Sequence, residues 1–452
     1  MPPLPANRSP WLGQMCREPL GVSLDHDLVT DVVVVGAGIA GVATTFFLLR
    51  DTKATVTLVE GNRVALGATG YNAGQLVTYF ERPICRLAED FGYEKAIAGQ
   101  REIDNAWCLL DLMLTESGYP HPVPRVSGQM GMFTLNHLMV HLRNNALRRK
   151  GGLVGEYIRI AENADFLNDI PPEFDGLYEV VPQEHVLALL ATEDQRYLAT
   201  LSGVKGCMNS ASLCEHLVKY FKRAFRSRFE LYEESRVERV ELHAEGATLH
   251  AMGHRVRAAR VVLCTNGFLE LEVVNGAGPD IPLPERVHGT MGFMAAYYED
   301  AAQPSCANSY LMSPRINEGQ AYFYVTRRPY QTNGSLRTLT CIGGPDLPLD
   351  PGRPYDRNAP YPAAELNKLT AHIAPVMGWP TDVLRRWDYT WHGLMGYTDN
   401  RMRVIGREPR NPVLLYNLGC NGVGLLPAIT GARHISRITG GATLEPSMFD
   451  PP

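Results

Sequence analysis

The chain has 452 residues, which is long enough for two domains rather than one core. Hydrophobic residues make up 45% and charged residues 20%, the balance of an ordinary globular protein, and a net charge of −5 does not favour a nucleic-acid-binding surface. The nine cysteines are scattered and form no CxxC pair, so neither a metal site nor a disulfide framework is predicted. No apolar run reaches the roughly 18 residues of a membrane span, and residues 1–27 lack the apolar core of a signal peptide, so we expect a cytoplasmic protein.

The first predicted elements are a strand over residues 31–35, a glycine-rich turn and a helix over residues 42–50. The strand is continuously apolar, as is typical of a strand buried on both faces of a parallel sheet. In the turn, Gly36 permits a tight bend, Gly38 lets the main chain approach a diphosphate, and Gly41 lets helix and strand pack closely. The predicted nucleotide contacts are Gly36, Gly38, Ile39, Ala40 and Gly41.

A second predicted strand, residues 54–59, follows this helix and ends at Glu60. The acidic residue lies 19 positions after Gly41, where it would accept hydrogen bonds from ribose hydroxyls and disfavour a 2′-phosphate. The order of strand, glycines, helix, strand and acidic residue therefore predicts a dinucleotide site. At this point FAD and NAD are both open.

The segment 67–75, GATGYNAGQ, is made largely of small residues. It resembles the loop under the flavin ring in the D-amino-acid oxidase-like family of FAD enzymes, in particular its gamma-glutamylputrescine oxidase, glycine oxidase and sarcosine oxidase branches. A flat ring needs small residues whose main chain can come close. Tyr71 stands where one large branch has arginine, so the role of that arginine is not carried over. The resemblance implies FAD contacts at Gly67, Ala68, Thr69, Asn72, Ala73, Gly74 and Gln75.

Two later segments carry the same resemblance. In the segment 206–268, a predicted helix over residues 210–225 precedes three predicted strands, and the resemblance implies FAD contacts at Val237, Thr265, Asn266 and Gly267. The C-terminal segment ends in a strand, a glycine-rich turn and a helix, with Pro427 early in the helix, where its missing N–H is no loss. The implied contacts there are Gly396, Tyr397, Asn421, Gly422, Val423, Gly424 and Leu425.

The predicted fold class is α/β, or α+β overall, with two interleaved domains. A Rossmann-like FAD-binding domain is assigned to residues 1–80, 197–270 and 385–452. A substrate domain with an antiparallel sheet is assigned to residues 81–196 and 271–384, because β-like runs dominate residues 281–345.

The resemblance implies non-covalent FAD and oxidation of a small amine or amino acid. Some branches attach FAD through a cysteine just before a Tyr-Thr pair, but Met395 and Gly396 precede Tyr397 here. The expected reaction removes a hydride from a C–H next to nitrogen to flavin N5, and the imine product then hydrolyses. The electron acceptor is O2 or another acceptor, and no oligomeric state is predicted.

Tyr324, His392 and His288 are the candidate catalytic residues. Alternation along a strand puts Tyr324 on one face with Tyr322 and Thr326, where it forms a pocket wall or simply packs. His392 precedes the flavin-facing segment and either contacts flavin or substrate or is a hydrogen-bonded, half-buried histidine. His288 begins a predicted strand.

Cations that bind a substrate carboxylate are less clear in the sequence. Arg327, Arg328 and Arg337 are candidates, although exposed arginine at a strand end is the commoner case. After Arg223 the chain has a single lysine, Lys368, and the resemblance places Leu425 where sarcosine oxidases carry a carboxylate-binding lysine. This disfavours simple amino acids held by that lysine.

Two other functions remain as alternatives. One is an FAD-dependent dehydrogenase of a hydroxy acid or polyol, and the other is a non-catalytic flavin-binding subunit.

Overall fold

The computed structural model describes residues 7–15, 18–312, 322–332, 334–344, 346–349, 354–379 and 387–452. The described strands are β1 (Leu28–Val35), β2 (Val56–Val59), β3 (Gln75–Leu76), β4 (Arg125–Met132), β5 (Tyr157–Ala161), β6 (Tyr178–Val181), β7 (Ala199–Cys207), β8 (Phe229–Tyr232), β9 (Val237–Leu242), β10 (Ala247–Ala251), β11 (His254–Leu263), β12 (Glu272–Asn275), β13 (His288–Tyr298), β14 (Cys306–Leu311), β15 (Tyr322–Gln331), β16 (Leu336–Gly343), β17 (Leu347–Pro348), β18 (Tyr389–Tyr397), β19 (Val404–Arg407) and β20 (Leu414–Leu418). The described α-helices are α1 (Ile39–Asp51), α2 (Ile84–Phe91), α3 (Tyr93–Asp104), α4 (Ala106–Ser117), α5 (Leu135–Lys150), α6 (Gln183–Leu190), α7 (Ser210–Ala224), α8 (Ala363–Ile373) and α9 (Leu425–Thr439).

The first sheet has a parallel core in the order β8–β2–β1–β11–β20. Antiparallel β19 continues it beyond β20, while β10, β9 and β12 extend from the first half of β11. Helix α1 is buried along residues 39–49 and packs against α9 and α7. A helix that is apolar all round must be covered on all sides, and these neighbours together with the sheet cover it.

The second sheet runs β17–β13–β16–β15–β14–β4–β7–β5–β6, with β18 beside β13 and β3 beside β7. Its pairs are antiparallel except for β14 with β4 and β5 with β6. The mixed α/β architecture with one largely parallel and one largely antiparallel sheet confirms the predicted fold class.

The strand placement differs from the segment boundaries drawn on the sequence at four points. Strands β3, β7 and β18 fall inside segments assigned to the FAD domain but pair in the second sheet, and β12 falls in a substrate segment but pairs in the first. Their sequences are as apolar as those of their neighbours, so composition does not reveal which sheet they join. The domain boundaries themselves stay a prediction.

The N-terminal arm is packed into the fold, although its sequence is irregular. Trp11 is fully buried and its Nε1 donates to the carbonyl of Asn72 at 2.5 Å. Asn7 exchanges two hydrogen bonds with the main chain of His392 in β18, at 3.0 and 3.1 Å. The arm therefore joins the 67–75 loop to the second sheet. Within the described ranges, no helix has the length and apolarity that a membrane crossing requires.

Candidate active site

A cavity of about 1130 Å³ lies between the two sheets. Val35, Glu60 and Cys264 line it from the carboxyl ends of β1, β2 and β11, and residues of β13, β15 and β18 line it from the second sheet. Ligands of open parallel sheets bind at this edge, because helix N-termini and loops converge there. The cavity thus joins the predicted nucleotide turn to the predicted substrate strands.

The three glycines of the first turn have separate structural roles. Gly36 has φ +100°, a left-handed conformation that favours glycine. A Cβ at Gly38 would lie 2.9 Å from Thr69 Oγ1, which accepts a hydrogen bond from the Ile39 N–H at 2.8 Å. A Cβ at Gly41 would overlap the carbonyl oxygen of Gly36. Gly36, Gly38, Ile39 and Ala40 line the cavity, whereas Gly41 lies behind it and lets α1 pack on β1.

Glu60 is held at the end of β2 by two main-chain donors. The N–H groups of Ala37 and Asn62 donate to its carboxylate at 2.7 and 2.8 Å. Burial raises the pKa of Glu60, while these two hydrogen bonds oppose that rise. The carboxylate lines the cavity beside the glycine turn, as the ribose role requires.

The turn after β11 supplies an independent test of whether a dinucleotide fits. Thr265 lines the cavity, and its buried hydroxyl has no hydrogen-bond partner among the described residues. Buried hydroxyls are normally satisfied, so a bound group is expected to complete this one. Asn266 and Gly267 also line the cavity, and a Cβ at Gly267 would overlap the carbonyl of Met395. These residues fit a dinucleotide cofactor.

Residues 31–438 match the family described as "DAO: FAD dependent oxidoreductase". The chain belongs to this family. Its enzymes use FAD, so the choice between FAD and NAD that the glycine turn left open is decided, and the predicted family, cofactor and enzyme class are confirmed. No thiol stands at Met395 or Gly396, in keeping with the prediction of non-covalent FAD.

Individual relatives support the fold over nearly the whole chain. A gamma-glutamylputrescine oxidoreductase of Escherichia coli (strain K12) is 32% identical over 74 residues, which are 16% of this chain and only 17% of that protein. Glycine oxidase from Geobacillus kaustophilus superposes with a TM-score of 0.64 at 15% identity, covering 93% of this chain and 98% of that one. L-proline dehydrogenase from P. horikoshii superposes with a TM-score of 0.66 at 16% identity, covering 94% and 97%.

The 67–75 loop is held together by its own side chains. The Asn72 side-chain amide donates to the Thr69 carbonyl and to Ser210 Oγ, both at 2.8 Å, and its oxygen accepts from the Gly74 N–H at 2.7 Å. Gly74 has φ +72°. Its cavity-lining residues are the predicted Gly67, Ala68, Thr69, Asn72, Ala73, Gly74 and Gln75, together with Tyr71.

The C-terminal turn reaches the cavity at the start of α9, where Gly422, Val423, Gly424 and Leu425 line it. Asn421 lies behind them: its side-chain oxygen accepts from the Thr398 N–H at 2.8 Å, and its own N–H donates to the Gly396 carbonyl at 2.9 Å. Gly396 and Tyr397 likewise support the wall without lining it. Val237, the first residue of β9, does line the cavity.

The substrate side of the cavity is formed by tyrosines and one carboxylate. Tyr79, Glu81, Tyr322 and Tyr324 all line it, and the Tyr322 hydroxyl donates to Glu81 Oε1 at 2.6 Å. A Cβ at Gly422 would lie 3.0 Å from the same oxygen, so Glu81 is adjacent to the C-terminal turn. Burial raises the pKa of Glu81. Sequence reasoning missed Glu81, for which the only signal is an acid beside two aromatic residues.

Tyr324 lies in the cavity wall, as one of its two interpretations predicts. Its hydroxyl contacts the Met294 sulfur at 3.2 Å, and burial raises its pKa well above the usual value. His288 also lines the cavity but is exposed, 3.9 Å from the carboxylate of Asp399. Tyr324 is therefore a buried residue of the cavity wall, whereas His288 lies at an exposed part of it.

His392 does not line the cavity. Its Nε2 lies 2.9 Å from the carbonyl of Ala359 and its Nδ1 lies 3.1 Å from the Tyr355 hydroxyl, with 2% of the residue exposed. Burial lowers its pKa and favours the neutral ring. This geometry corresponds to the alternative interpretation, a hydrogen-bonded buried histidine that positions β18.

The three arginine candidates for a substrate carboxylate lie elsewhere. Arg327 pairs with Glu299 at 3.3 Å, Arg328 lies over the Trp11 ring and Arg337 lies over the Tyr298 ring. The arginines that do line the described cavity already have partners: Arg236 pairs with Glu270, and Arg403 donates to Asn417. Glu81 is thus the charged side chain that lines the substrate side, and the Tyr322 hydrogen bond and the positive charge of Arg401 oppose the rise in its pKa that burial causes.

A second carboxyl group lies close to this side. Tyr397 donates to Asp346 Oδ2 at 2.9 Å, and a Cβ at cavity-lining Gly292 would lie 3.4 Å from Asp346 Oδ1. Burial raises the pKa of Asp346 to about 7. No sequence pattern indicates this residue, because Asp346 and Tyr397 are 51 positions apart in the chain.

Proposed function

We propose that the chain oxidises the C–N bond of a small cationic amine and releases an imine that hydrolyses in water. FAD, when bound, supplies the acceptor for the hydride and its two electrons. The observation that carries the proposal is the group formed by Glu81, Tyr79, Tyr322 and Tyr324 on the substrate side of the cavity.

This group suits an alkylammonium ion. Aromatic faces attract cations, and a carboxylate in a partly desolvated site attracts them more strongly. Because burial raises the pKa of Glu81, its carboxylate can also take up a proton from the bound ammonium. The amine is then neutral, as loss of hydride from the neighbouring carbon requires.

The choice of an amine is also supported by what the cavity lacks. Arg236 and Arg403, the arginines among its described lining residues, are engaged by the protein, so neither is available to a substrate carboxylate. The three relatives above are named for gamma-glutamylputrescine, glycine and L-proline, all of them nitrogen compounds. Hydroxy acids and polyols offer Glu81 no cation.

Anaerobic mixing of the FAD-loaded enzyme with candidate substrates tests the proposal. We expect pentylamine to bleach the flavin absorbance and lactate and glycerol to leave it unchanged. Bleaching by lactate or glycerol alone would favour the dehydrogenase alternative, and bleaching by none of the three would favour a non-catalytic flavin subunit. Hydrogen peroxide formed on admitting air would identify O2 as the acceptor.

A further inference from the structure

A second cavity of about 1290 Å³ lies beside the flavin cavity. Tyr79, Glu81 and Tyr322 line both cavities, so these three side chains form the wall between them. The remainder of its lining comes mainly from α2, β4, α5 and β7, all in the segment that precedes α7.

Two charged residues, the buried Lys205 and the half-buried Glu156, line this second cavity. Lys205 is 5% exposed, its Nζ lies 3.3 Å from Ser309 Oγ, and it faces the Tyr79 ring at 5.6 Å. Glu156 raises the pKa of Lys205, although burial outweighs it and lowers that pKa to about 8. Burial raises the pKa of Glu156, and the positive charges of Arg148 and Lys205 oppose that rise. No hydrogen bond or ion pair joins the Lys205 and Glu156 side chains within the described structure, so each keeps hydrogen-bonding capacity toward the cavity.

The other buried cation of this cavity is already satisfied. Arg148 donates to Asp104 Oδ2 at 2.8 Å and to the Val154 carbonyl at 2.7 Å. Burying an ammonium and a carboxylate without pairing them is costly, since each loses its hydration. A ligand that carries one negative and one positive charge would satisfy Lys205 and Glu156 at once.

We propose that the second cavity binds the far end of the amine substrate, and that this end is a zwitterion such as an α-amino acid head group. Lys205 binds its carboxylate and Glu156 binds its ammonium. The aliphatic chain passes between the Tyr79 and Tyr322 rings to the amine held at Glu81. The inference deepens the proposed function and rests on it for the position of the reacting amine.

Four probes of similar length test the head group: lysine, cadaverine, which lacks the carboxylate of lysine, 6-aminohexanoate, which lacks its α-amine, and pentylamine, which lacks both. In the wild-type enzyme we expect the KM for lysine to be at least about tenfold below that for pentylamine, as two charge-assisted hydrogen bonds imply. The kcat values should differ less than the KM values, because the reacting amine is the same.

Two variants test which side chain binds which charge of the head group. Lys205→Met should abolish the KM advantage of lysine over cadaverine, and Glu156→Gln should abolish its advantage over 6-aminohexanoate. Lys219→Met, at an exposed lysine of α7, is the matched control and should change neither ratio. Flavin absorbance checks that each variant is folded, and if Lys205→Met fails to bind FAD, Glu156→Gln carries the test.

Calorimetry separates failure of this inference from failure of the proposed function. Norleucine has the head group of lysine but no side-chain amine, so it probes the second cavity without any reaction at Glu81. If amines fail to bleach the flavin while norleucine binds in a Lys205-dependent manner, the proposed amine oxidation is wrong but the proposed second binding site is supported. If amines bleach the flavin but Lys205→Met and Glu156→Gln change neither the KM ratios nor norleucine binding, the second cavity is only a solvent-filled entrance. That result would overturn the inference.

Discussion

The two ends of the flavin cavity are built in different ways. At the nucleotide end, the wall consists of main chain brought close by Gly36, Gly38 and Gly74, with Glu60 fixed by main-chain donors. At the substrate end, the wall consists of side chains from distant segments, with Glu81 bonded to Tyr322 across 241 residues. The first end therefore depends on main-chain geometry within one stretch of sequence, whereas the second depends on side chains that only the fold brings together.

The largest expected effects are at the nucleotide end, where Gly41 is needed for packing and Gly38 for cofactor binding. Gly41→Val should destabilise the protein by more than about 3 kcal/mol, because the new side chain overlaps the Gly36 carbonyl. Gly38→Val should leave the apoprotein folded but weaken FAD at least about 100-fold, since its Cβ meets only the movable Thr69 side chain while narrowing the cavity. Thermal unfolding of the apoprotein and FAD titration measure the two effects.

Gly440→Ala is the control for this pair. It lies at the end of α9 with φ −73°, and its Cβ would lie no closer than 3.3 Å to another group. If Gly38→Val binds FAD as tightly as the wild type, the close approach of main chain and diphosphate at this turn is wrong.

At the substrate end, Glu81→Gln tests the charge of the wall. The substitution keeps the shape and the Tyr322 contact but removes the anion, and we expect kcat/KM for pentylamine to fall roughly 10- to 100-fold. Tyr322→Phe, which removes one hydroxyl, should have a smaller effect. Steady-state kinetics give both values, with Glu94→Gln as the control at an exposed position of α3. Unchanged kinetics in Glu81→Gln would contradict the role of Glu81 on which the proposed function rests.

The remaining expected effect concerns the pH dependence of stability near Asp346. Its pKa is about 7 in the folded protein, against an ordinary value of 3.8. The folded state therefore binds a proton more tightly than the unfolded chain, and the stability that this proton contributes is lost as pH rises from about 4 to about 7. Asp346→Asn should remove that loss, by at most ~4 kcal/mol for the full shift.

Urea unfolding at about pH 5 and about pH 8 measures this difference. Asp399→Asn is the control, because that side chain is 94% exposed. A wild-type free energy of unfolding with the same pH slope as Asp346→Asn would contradict the assignment.

The sequence by itself determined the nucleotide end. A buried strand, three glycines, a helix, a second strand and Glu60 are consecutive in the chain, so their spacing encodes their contacts, and the family resemblance added FAD. The C-terminal turn was predictable for the same reason. Alternation along β15 also placed Tyr322 and Tyr324 on one face, because side chains in a strand alternate between faces.

Only the tertiary structure decided the substrate end. It joined Glu81 to Tyr322, placed β7 and β18 in the second sheet, and turned His392 and the three candidate arginines away from the cavity. These outcomes depend on contacts between segments hundreds of residues apart, where local spacing holds no information. Whether a polar side chain is buried, paired or available to a ligand is set by what packs against it, and that is fixed only when both sheets are assembled.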